Sequence, residues 1–426
     1  MKIKVQELEL EQALAQADKR HRNPKRPLGI LRFLMRTLSE PELKATGFSY
    51  EEIGMEKLKP EEPCLILMNH SSFIDLKIAA HIFRKRKYQI VCTSDGFVGK
   101  DWLMRGLGCI PTNKFVTDLM LVKDMIYCVR KLKTSVLMYP EASYSFDGTA
   151  TPLPASMGKC LKVLGVPVIM VRTYGAFARD PLYNGLQPRD VKVSATVEYL
   201  LSPEQIQEKT AKELNKILAE AFSFDNFKWQ QENRISVNES FRADYLNRVL
   251  YRCPACQTEG RMVGKGTHLT CGSCGKTYEL TEYGQLQATE GETEIAHIPD
   301  WYRWERECVR RELQEGSYRL DIPVTIYVLV NTKCIYKVGE GRLTHTTEGF
   351  HLTGCDGKLD YKQKPSASYS LYSDYFWYEL GDMICIGDLD TLYYCFPKEG
   401  GDVVAKTRLA TEELYELTTK GRRDRA

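Results

Sequence analysis

The sequence of 426 residues lacks the features that mark an exported, membrane-spanning or nucleic-acid-binding chain. No run of about 18 apolar residues is free of charge, which argues against a transmembrane helix. Residues 1–16 include Glu7, Glu9 and Glu11 and no apolar core of the signal-peptide kind, so we expect a reducing compartment. The formal net charge is only +3, so the composition gives no reason to expect nucleic acid as a partner.

The sequence also lacks internal repeats and low-complexity tracts. Hydrophobic residues make up 43% and charged residues 27%, which excludes a disordered chain. At roughly 150 residues per domain, the length predicts about two to three domains. The 14 cysteines are expected to be metal ligands or core residues rather than disulfides.

Residues 1–245 alternate short apolar runs with helical patterns. The predicted strands are 64–68, 89–92, 135–139, 166–172 and 191–199, and the predicted helices are 75–83, 119–132, 157–164 and 203–222. Ser202 is the expected N-cap of the last helix, with proline at its first position. Such alternation predicts an α/β fold with a mixed, largely parallel sheet flanked by helices.

Residues 281–426 show a different pattern. A helical stretch at 299–313 is followed by β-type runs at 324–330, 335–338, 349–353, 375–380, 383–386 and 392–396, and by a helix at 410–419. Glycines such as Gly339 and Gly341 punctuate the runs, which predicts a small β-barrel or sandwich with a C-terminal helix. Trp301, Tyr302 and Trp304 are interpreted as packing residues, with a lipid-facing aromatic patch as the alternative.

Residues 69–75, NHSSFID, directly follow the predicted strand 64–68. The carboxyl end of such a strand is where active sites of open α/β sheets form. The spacing from His70 to Asp75 lets the carboxylate accept a hydrogen bond from one ring nitrogen, which leaves the other free to take a proton from a substrate hydroxyl. A capped helix start, in which both side chains only satisfy backbone groups, is the alternative.

These residues resemble the first motif of the glycerolipid acyltransferase family, of the lysophosphatidate-acyltransferase type. Three later motifs have counterparts in the same order, namely GCIPTNK at 108–114, YPEASYS at 139–145 with Asp147-Gly148 after it, and GVPV at 165–168. The resemblance spans roughly residues 55–200. It implies an O-acyltransferase that moves a fatty acyl group from acyl-CoA or acyl-carrier protein to a hydroxyl of a lysophospholipid or glycerol-type acceptor.

The resemblance implies that His70 is the general base and that Asp75 orients it. The substrate-binding positions that it implies are Asn69, Ser72, Gly108, Ile110, Lys114, Glu141 and Ser145. Lys114 and Tyr144 stand where the family has arginines expected to grip an acceptor phosphate, and Ala142 replaces a glycine. Lysine lacks the bidentate fork and tyrosine lacks the charge, which puts a phosphate-bearing acceptor in question.

A second pattern consists of two CxxC pairs, Cys253 with Cys256 and Cys271 with Cys274, separated by residues 257–270. Two CxxC pairs at this spacing resemble a zinc ribbon, and their four thiolates suit tetrahedral Zn²⁺. Protein ligands would fill all four coordination positions of the metal and leave none for a catalytic water, so the metal would be structural. The ribbon lacks an aromatic and basic stripe for nucleic acid, and we expect it to act as a folded spacer.

A basic segment near the N-terminus has no acidic residue among its cations. The cations are Lys19, Arg20, Arg22, Lys25, Arg26, Arg32 and Arg36. Apolar residues of 28–35 are interleaved, so the segment could lie on an anionic lipid surface. The alternative is a helix that packs its apolar face on the enzyme and exposes a basic face.

We therefore expect four parts: an N-terminal basic segment (1–45), an acyltransferase domain (46–245), a zinc ribbon (246–282) and a β-rich C-terminal domain (283–426). The expected location is the cytoplasm, peripheral on the inner face of the membrane. The expected partners are a thioester donor, a lysolipid acceptor and the membrane surface. A catalytically weak adaptor, which binds lipid or protein through the ribbon and the C-terminal domain, is the alternative function.

Overall fold

The computed structural model describes residues 2–18, 20–116, 118–398 and 402–423. The N-terminal region contains β1 (Val5–Glu7), α1 (Leu10–Leu14) and α2 (Gly29–Ala45). The α/β domain follows with β2 (Ser49–Ile53), β3 (Leu65–Met68), α3 (Asp75–Ile82), β4 (Tyr88–Thr93), α4 (Asp101–Gly106), β5 (Cys109–Thr112), α5 (Leu119–Tyr127), β6 (Ser135–Met138), α6 (Met157–Leu164), β7 (Val168–Tyr174), α7 (Ala176–Arg179), β8 (Ser194–Leu201), α8 (Pro203–Glu208), α9 (Ala211–Phe222) and α10 (Asn226–Glu232).

The α/β domain is built on a seven-stranded sheet of order β2-β8-β7-β3-β6-β4-β5. Only the β7–β8 pair is antiparallel, which confirms the predicted mixed, largely parallel sheet. The central strand β3 is buried along its whole length, as expected for a strand covered on both faces. Its carboxyl end leads directly into the segment that carries His70.

Alternate side chains of β3 enter two separate cores. Ile66 and Met68 pack in one cluster with residues of α2 and α3, whereas Leu65 and Leu67 pack in another with residues of α5, α6 and α9. Burial of about four such side chains on a sheet contributes roughly 1.5–3 kcal/mol each relative to exposure. The double covering holds the end of β3, and therefore the His70 segment, in a fixed position.

The prediction of one continuous helix at 203–222 is wrong in one respect, because two helices occupy this stretch. Ser202 caps α8 as predicted, but α8 ends at Glu208 and Thr210 opens α9. Each helix begins with a capping box, formed by Ser202 with Gln205 and by Thr210 with Glu213. A second S/T-x-x-E/Q signal inside the helical pattern marks the break.

The cysteine-containing module forms a four-stranded antiparallel sheet. Its strands are β9 (Met262–Lys265), β10 (His268–Cys271), β11 (Thr277–Leu280) and β12 (Leu286–Ala288). Tyr278 packs edge to face on Trp301 with ring centroids 5.1 Å apart, and the Trp301 indole donates to the Arg252 carbonyl at 3.0 Å. The module therefore shares a core with the next domain, and the packing role predicted for Trp301 is confirmed.

The C-terminal domain is an antiparallel sheet closed by a helix, as predicted. It contains α11 (Ile298–Glu315), β13 (Leu320–Leu329), β14 (Ile335–Thr346), β15 (Gly349–Gly354), β16 (Leu359–Gln363), β17 (Tyr372–Trp377), β18 (Gly381–Gly387), β19 (Leu392–Pro397) and α12 (Val403–Arg423). The strand order is β16-β15-β14-β13-β19-β18-β17, and β1 pairs with β14 in parallel as the eighth strand. The N-terminal residues thus complete the C-terminal sheet.

The strand β14 is longer than the predicted 335–338 because its glycines do not end it. A Cβ at Gly341 would lie 2.3 Å from the carbonyl oxygen of Thr353. Glycine is therefore needed at this position for close approach of two strands rather than for a turn.

Candidate active site

The imidazole of His70 and the carboxylate of Asp75 form a hydrogen-bonded pair at the carboxyl end of β3. His70 Nδ1 lies 3.0 Å from Asp75 Oδ2, and the Asp75 side chain is fully buried. The same oxygen accepts the backbone N–H groups of Ser71 at 2.7 Å and Ser72 at 3.1 Å. Asp75 thus holds the backbone of the loop that precedes α3 and orients the imidazole at the same time, so the carboxylate has both a structural and an orienting contact.

The second ring nitrogen of His70 is available for chemistry. Nε2 makes no hydrogen bond among the described residues, and the side chain keeps 19% of its surface exposed. Burial lowers the pKa of His70 below its ordinary value, and the hydrogen bond to Asp75 acts in the opposite direction. A neutral imidazole at physiological pH is the form that can accept a proton.

Glu141 joins the segment after β6 to the His70 segment. Its Oε2 accepts the backbone N–H of His70 at 2.9 Å, and its Oε1 accepts the backbone N–H of Thr151 at 2.7 Å. Burial raises the pKa of Glu141 to about 7, although both hydrogen bonds favour the charged form. Both carboxylate oxygens therefore accept backbone N–H groups, and Glu141 positions His70 through its backbone rather than through its ring.

Two tyrosines of the 139–145 motif enclose the His70 ring. Tyr139 stacks on it with centroids 4.3 Å apart, and Tyr144 lies against it at 4.1 Å. Tyr144 also packs edge to face against the exposed Phe73 at 5.5 Å. Tyr144 is thus an aromatic neighbour of the base, at a position where the sequence pattern has a phosphate-gripping arginine.

Asn69 and Ser72, which were predicted to bind substrate, contact the protein itself. Asn69 Oδ1 accepts the backbone N–H of Thr173 at 2.9 Å, and its Nδ2 donates to Ser71 Oγ at 3.2 Å. Both Asn69 and Ser72 are buried. In the structure these two side chains brace the loop between β3 and α3.

Ser145, Gly108 and Ile110 also have structural contacts. Ser145 Oγ donates to the Thr149 carbonyl at 2.6 Å, and its backbone N–H donates to the His70 carbonyl at 3.2 Å. Gly108 has φ +80°, and a Cβ there would lie 3.0 Å from Pro27. Ile110 is buried in β5. Lys114 differs from the other polar residues of this set, because its ammonium makes no hydrogen bond to the backbone of the α/β domain among the described residues.

The C-terminal domain covers the Lys114 side of the site. The Lys114 ammonium lies 4.1 Å from the centroid of the Tyr372 ring of β17. The Tyr372 hydroxyl donates to Asp95 Oδ2 at 2.5 Å, and Tyr394 donates to the same oxygen at 3.2 Å. Sequence reasoning missed Asp95 and the two tyrosines as neighbours of the site, because the only local signal was the unusual lysine and tyrosine in the second and third motifs.

Parts of this chain are similar to a known protein family and to a solved structure. Residues 50–173 match the sequence model of the family described as Acyltransferase. These residues form an acyltransferase-family domain. A crystal structure of the 1-acyl-sn-glycerophosphate (LPA) acyltransferase from Thermotoga maritima is similar at 18% sequence identity, over 45% of this chain and 76% of that chain, with a TM-score of 0.36.

Outside the acyltransferase domain, the four cysteines of the two CxxC pairs come together as predicted. All four Sγ atoms lie within 4.8 Å of one another. Cys253 and Cys274 are 3.8 Å apart, and Cys256 and Cys271 are 3.7 Å apart. This tetra-cysteine cluster has the ligand set and the spacing to hold a metal ion.

Proposed function

We propose that the acyltransferase domain catalyses transfer of a fatty acyl group from a thioester donor, acyl-CoA or acyl-carrier protein, to a hydroxyl of a lysophospholipid or glycerol-type acceptor. The observation that carries this proposal is the His70–Asp75 pair, with Nδ1 held by a buried carboxylate and Nε2 unbonded among the described residues. It lies inside the segment that matches the acyltransferase family. No serine or cysteine nucleophile is required, because the acceptor hydroxyl attacks.

In the proposed reaction, His70 Nε2 removes the proton of the acceptor hydroxyl as its oxygen attacks the thioester carbonyl. A carbon–oxygen bond forms, the carbon–sulfur bond breaks, and the thiolate leaves with the proton returned by the imidazolium. Asp75 stabilises the imidazolium and holds the tautomer that leaves Nε2 free. Glu141 fixes the backbone of His70 so that the ring stays in line.

The test is acyl transfer by the purified full chain, with palmitoyl-CoA and palmitoyl-acyl-carrier protein offered to a panel of lysolipid and glycerol acceptors. His70→Ala should reduce kcat/KM by about 10²- to 10⁴-fold, the range for loss of a general base. His81→Ala is the matched control, because His81 also lies beside a carboxylate, Glu40 at 2.9 Å, but on the later part of α3. Equal transfer by His70→Ala and the wild type would leave the adaptor function as the better explanation.

We also propose that the enzyme binds a membrane surface through α2. Its residues Ile30, Phe33, Leu34 and Leu38 lie on one helical face, each with at least 45% of its surface exposed. Arg32 points the other way, over the Tyr88 ring at 4.0 Å, so the helix packs a cation inward and presents apolar residues outward. No helix among the described residues is long and apolar enough to cross a membrane.

The cations beside α2 support an anionic surface. Arg22, Lys25 and Arg26 are exposed, whereas Lys19 lies outside the described residues. Each near-surface cation contributes about 1 kcal/mol, and salt screens it. Binding should therefore be stronger to anionic than to neutral vesicles and should weaken as salt rises.

Vesicle co-sedimentation separates these contributions. Phe33→Ser with Leu38→Ser should abolish most of the binding, and replacement of Arg22, Lys25 and Arg26 by glutamine should remove the preference for anionic vesicles. Val263→Ser is the control, because Val263 is equally exposed but lies on β9. Unchanged binding by both the α2 variant and the triple glutamine variant would overturn the assignment.

Finally, we propose that the tetra-cysteine cluster holds a structural Zn²⁺. Four thiolates 2.3 Å from a tetrahedral zinc lie about 3.8 Å apart, which agrees with the observed pairs. Elemental analysis of protein prepared without chelators should give about one zinc per chain. Cys271→Ser should lose the metal and destabilise the module, whereas Cys160→Ser, outside the cluster, should retain it. Metal-free wild-type protein would contradict the assignment.

A further inference from the structure

The C-terminal domain brings a carboxylate to the acceptor side of the site. Tyr372 and Asp374 are two residues apart on β17 and therefore lie on the same face of the strand. Tyr372 contacts the Lys114 ammonium, so Asp374 is presented toward the same place. Asp374 Oδ1 accepts the backbone N–H of Tyr375 at 2.8 Å, and its Oδ2 accepts no hydrogen bond among the described residues.

The position of Asp374 is fixed by its neighbours. Tyr372 is anchored by the hydrogen bond to the buried Asp95, and the Trp377 indole donates to the Tyr372 hydroxyl at 3.0 Å. The register of β17 against β18 is regular from Tyr372 to Asp374. The carboxylate thus belongs to the regularly paired part of β17, just before the register shift that follows Asp374.

The charge of Asp374 acts on both positions that would grip a phosphate. Burial raises the pKa of Asp374 to about 7, and Lys114 acts to lower it. Asp374 in turn contributes to the raised pKa of Tyr144. Above pH 7, where Asp374 is mostly ionised, one cation, one carboxylate and one neutral phenol give no net positive charge, whereas a phosphate monoester brings about −1.5 to −2.

Arg408 does not make up the deficit. Arg408 of α12 lies near Glu141 and stacks over the Phe146 ring at 4.4 Å, but its guanidinium is buried and paired with Glu412 at 3.2 Å. Its Nε is therefore engaged in a buried ion pair with a residue of the same helix.

On this basis, and resting on the acyl transfer proposed above, we propose that Asp374 is a specificity-determining residue that excludes a phosphate monoester, so that the acceptor is an alcohol without a phosphate monoester next to its reacting end. The C-terminal domain thereby contributes to the choice of acceptor. Its carboxylate occupies the electrostatic role that a phosphate would have opposite Lys114.

The test compares 1-acylglycerol with 1-acylglycerol 3-phosphate, two acceptors that differ only in the phosphate, under the same donor and detergent. The wild type should favour 1-acylglycerol by at least about tenfold in kcat/KM. Asp374→Asn should lower this ratio by about tenfold, mainly through a lower KM for the phosphate acceptor, because a like charge is removed. Asp374→Glu should keep the wild-type preference.

The ratio within one variant is independent of how much active enzyme is present, so a folding defect alone does not change it. Glu348→Gln is the matched control, since it removes one negative charge from an exposed turn of the same domain. A wild type that prefers the phosphate acceptor overturns the inference and leaves acyl transfer intact. An unchanged ratio in Asp374→Asn overturns the role of Asp374, and no transfer to any acceptor overturns the proposed function and this inference together.

Discussion

The two sides of the candidate site are built in different ways. On the catalytic side, His70 and Asp75 are close in sequence, and Asp75 also accepts backbone N–H groups of the loop between them. On the acceptor side, Lys114 meets Tyr372 from a separate domain. The catalytic geometry is thus a local property of one loop, whereas the acceptor environment depends on how two domains pack.

This difference suggests how the chain can keep one reaction while changing its substrate. The catalytic loop is held by backbone hydrogen bonds to Asp75 and Glu141, so it does not depend on the residues opposite Lys114. Substitutions on β17 can alter the charge near Lys114 without moving the base. We expect substitutions on the two sides to separate kcat from acceptor preference.

The largest effect should come from Asp75→Asn. An asparagine carbonyl in the place of Oδ2 can still accept the N–H groups of Ser71, Ser72 and the imidazole, but it has no negative charge to stabilise the imidazolium that forms during the reaction. We expect kcat to fall by about 10²- to 10⁴-fold, with unfolding little changed. The measurement is steady-state transfer together with urea denaturation.

Asp95→Asn provides the comparison on the acceptor side. Asp95 is also a buried carboxylate, but it only accepts hydrogen bonds from two tyrosine hydroxyls, and an asparagine carbonyl can accept the same two hydrogen bonds. The kcat of the Asp95→Asn variant should differ from that of the wild type by less than about tenfold. If Asp95→Asn lowered kcat as much as Asp75→Asn, the two sides would not be separable.

A smaller effect is expected for Glu141→Gln. The amide can accept one of the two backbone N–H groups of His70 and Thr151 and leaves the other without a partner. A buried unsatisfied donor costs about 1–3 kcal/mol of unfolding free energy. We expect that loss in denaturation, and a fall of about tenfold in kcat because His70 is less well positioned. Unchanged stability would show that the two hydrogen bonds do not persist in solution.

The pH profile should report the catalytic side. Since burial lowers the pKa of His70, the base stays neutral and active until the pH falls below 6.5, and kcat/KM for 1-acylglycerol should decrease on the acid side of that value. Glu141, with a pKa raised to about 7, can add a second inflection. Glu141→Gln should reduce the inflection near 7, to which Asp374 also contributes, and retain the lower one. If the acid-side loss of kcat/KM in that variant instead had its midpoint above pH 6.5, the effect of Asp75 on the pKa of His70 would be larger than that of burial.

Much of this architecture follows from local sequence, and the remainder does not. The helix α6 and the cysteine pairs were predictable because their signals lie within a few residues. The pairing of β1 with β14 and the contact of Lys114 with Tyr372 join distant parts of the chain, for which hydrophobic patterns carry no information. The break before α9 was present in the sequence as a capping box, but a continuous helical pattern obscured it.

The smallest effect is expected at Ala142, which stands where the sequence pattern has glycine. Ala142 has φ +57°, a left-handed conformation that costs an L-residue about 1–2 kcal/mol and glycine little. Ala142→Gly should relieve this strain, but it loses a methyl group packed against the C-terminal domain and gains entropy in the unfolded chain. We therefore expect the free energy of unfolding to rise by at most about 1 kcal/mol, with kcat unchanged. Ala155→Gly is the control, because Ala155 is exposed and outside the positive-φ region, so glycine there should only destabilise. If Ala142→Gly instead lost as much stability as the control, Ala142 would be unstrained. Contact with the C-terminal domain, rather than backbone geometry, would then determine the residue at this position.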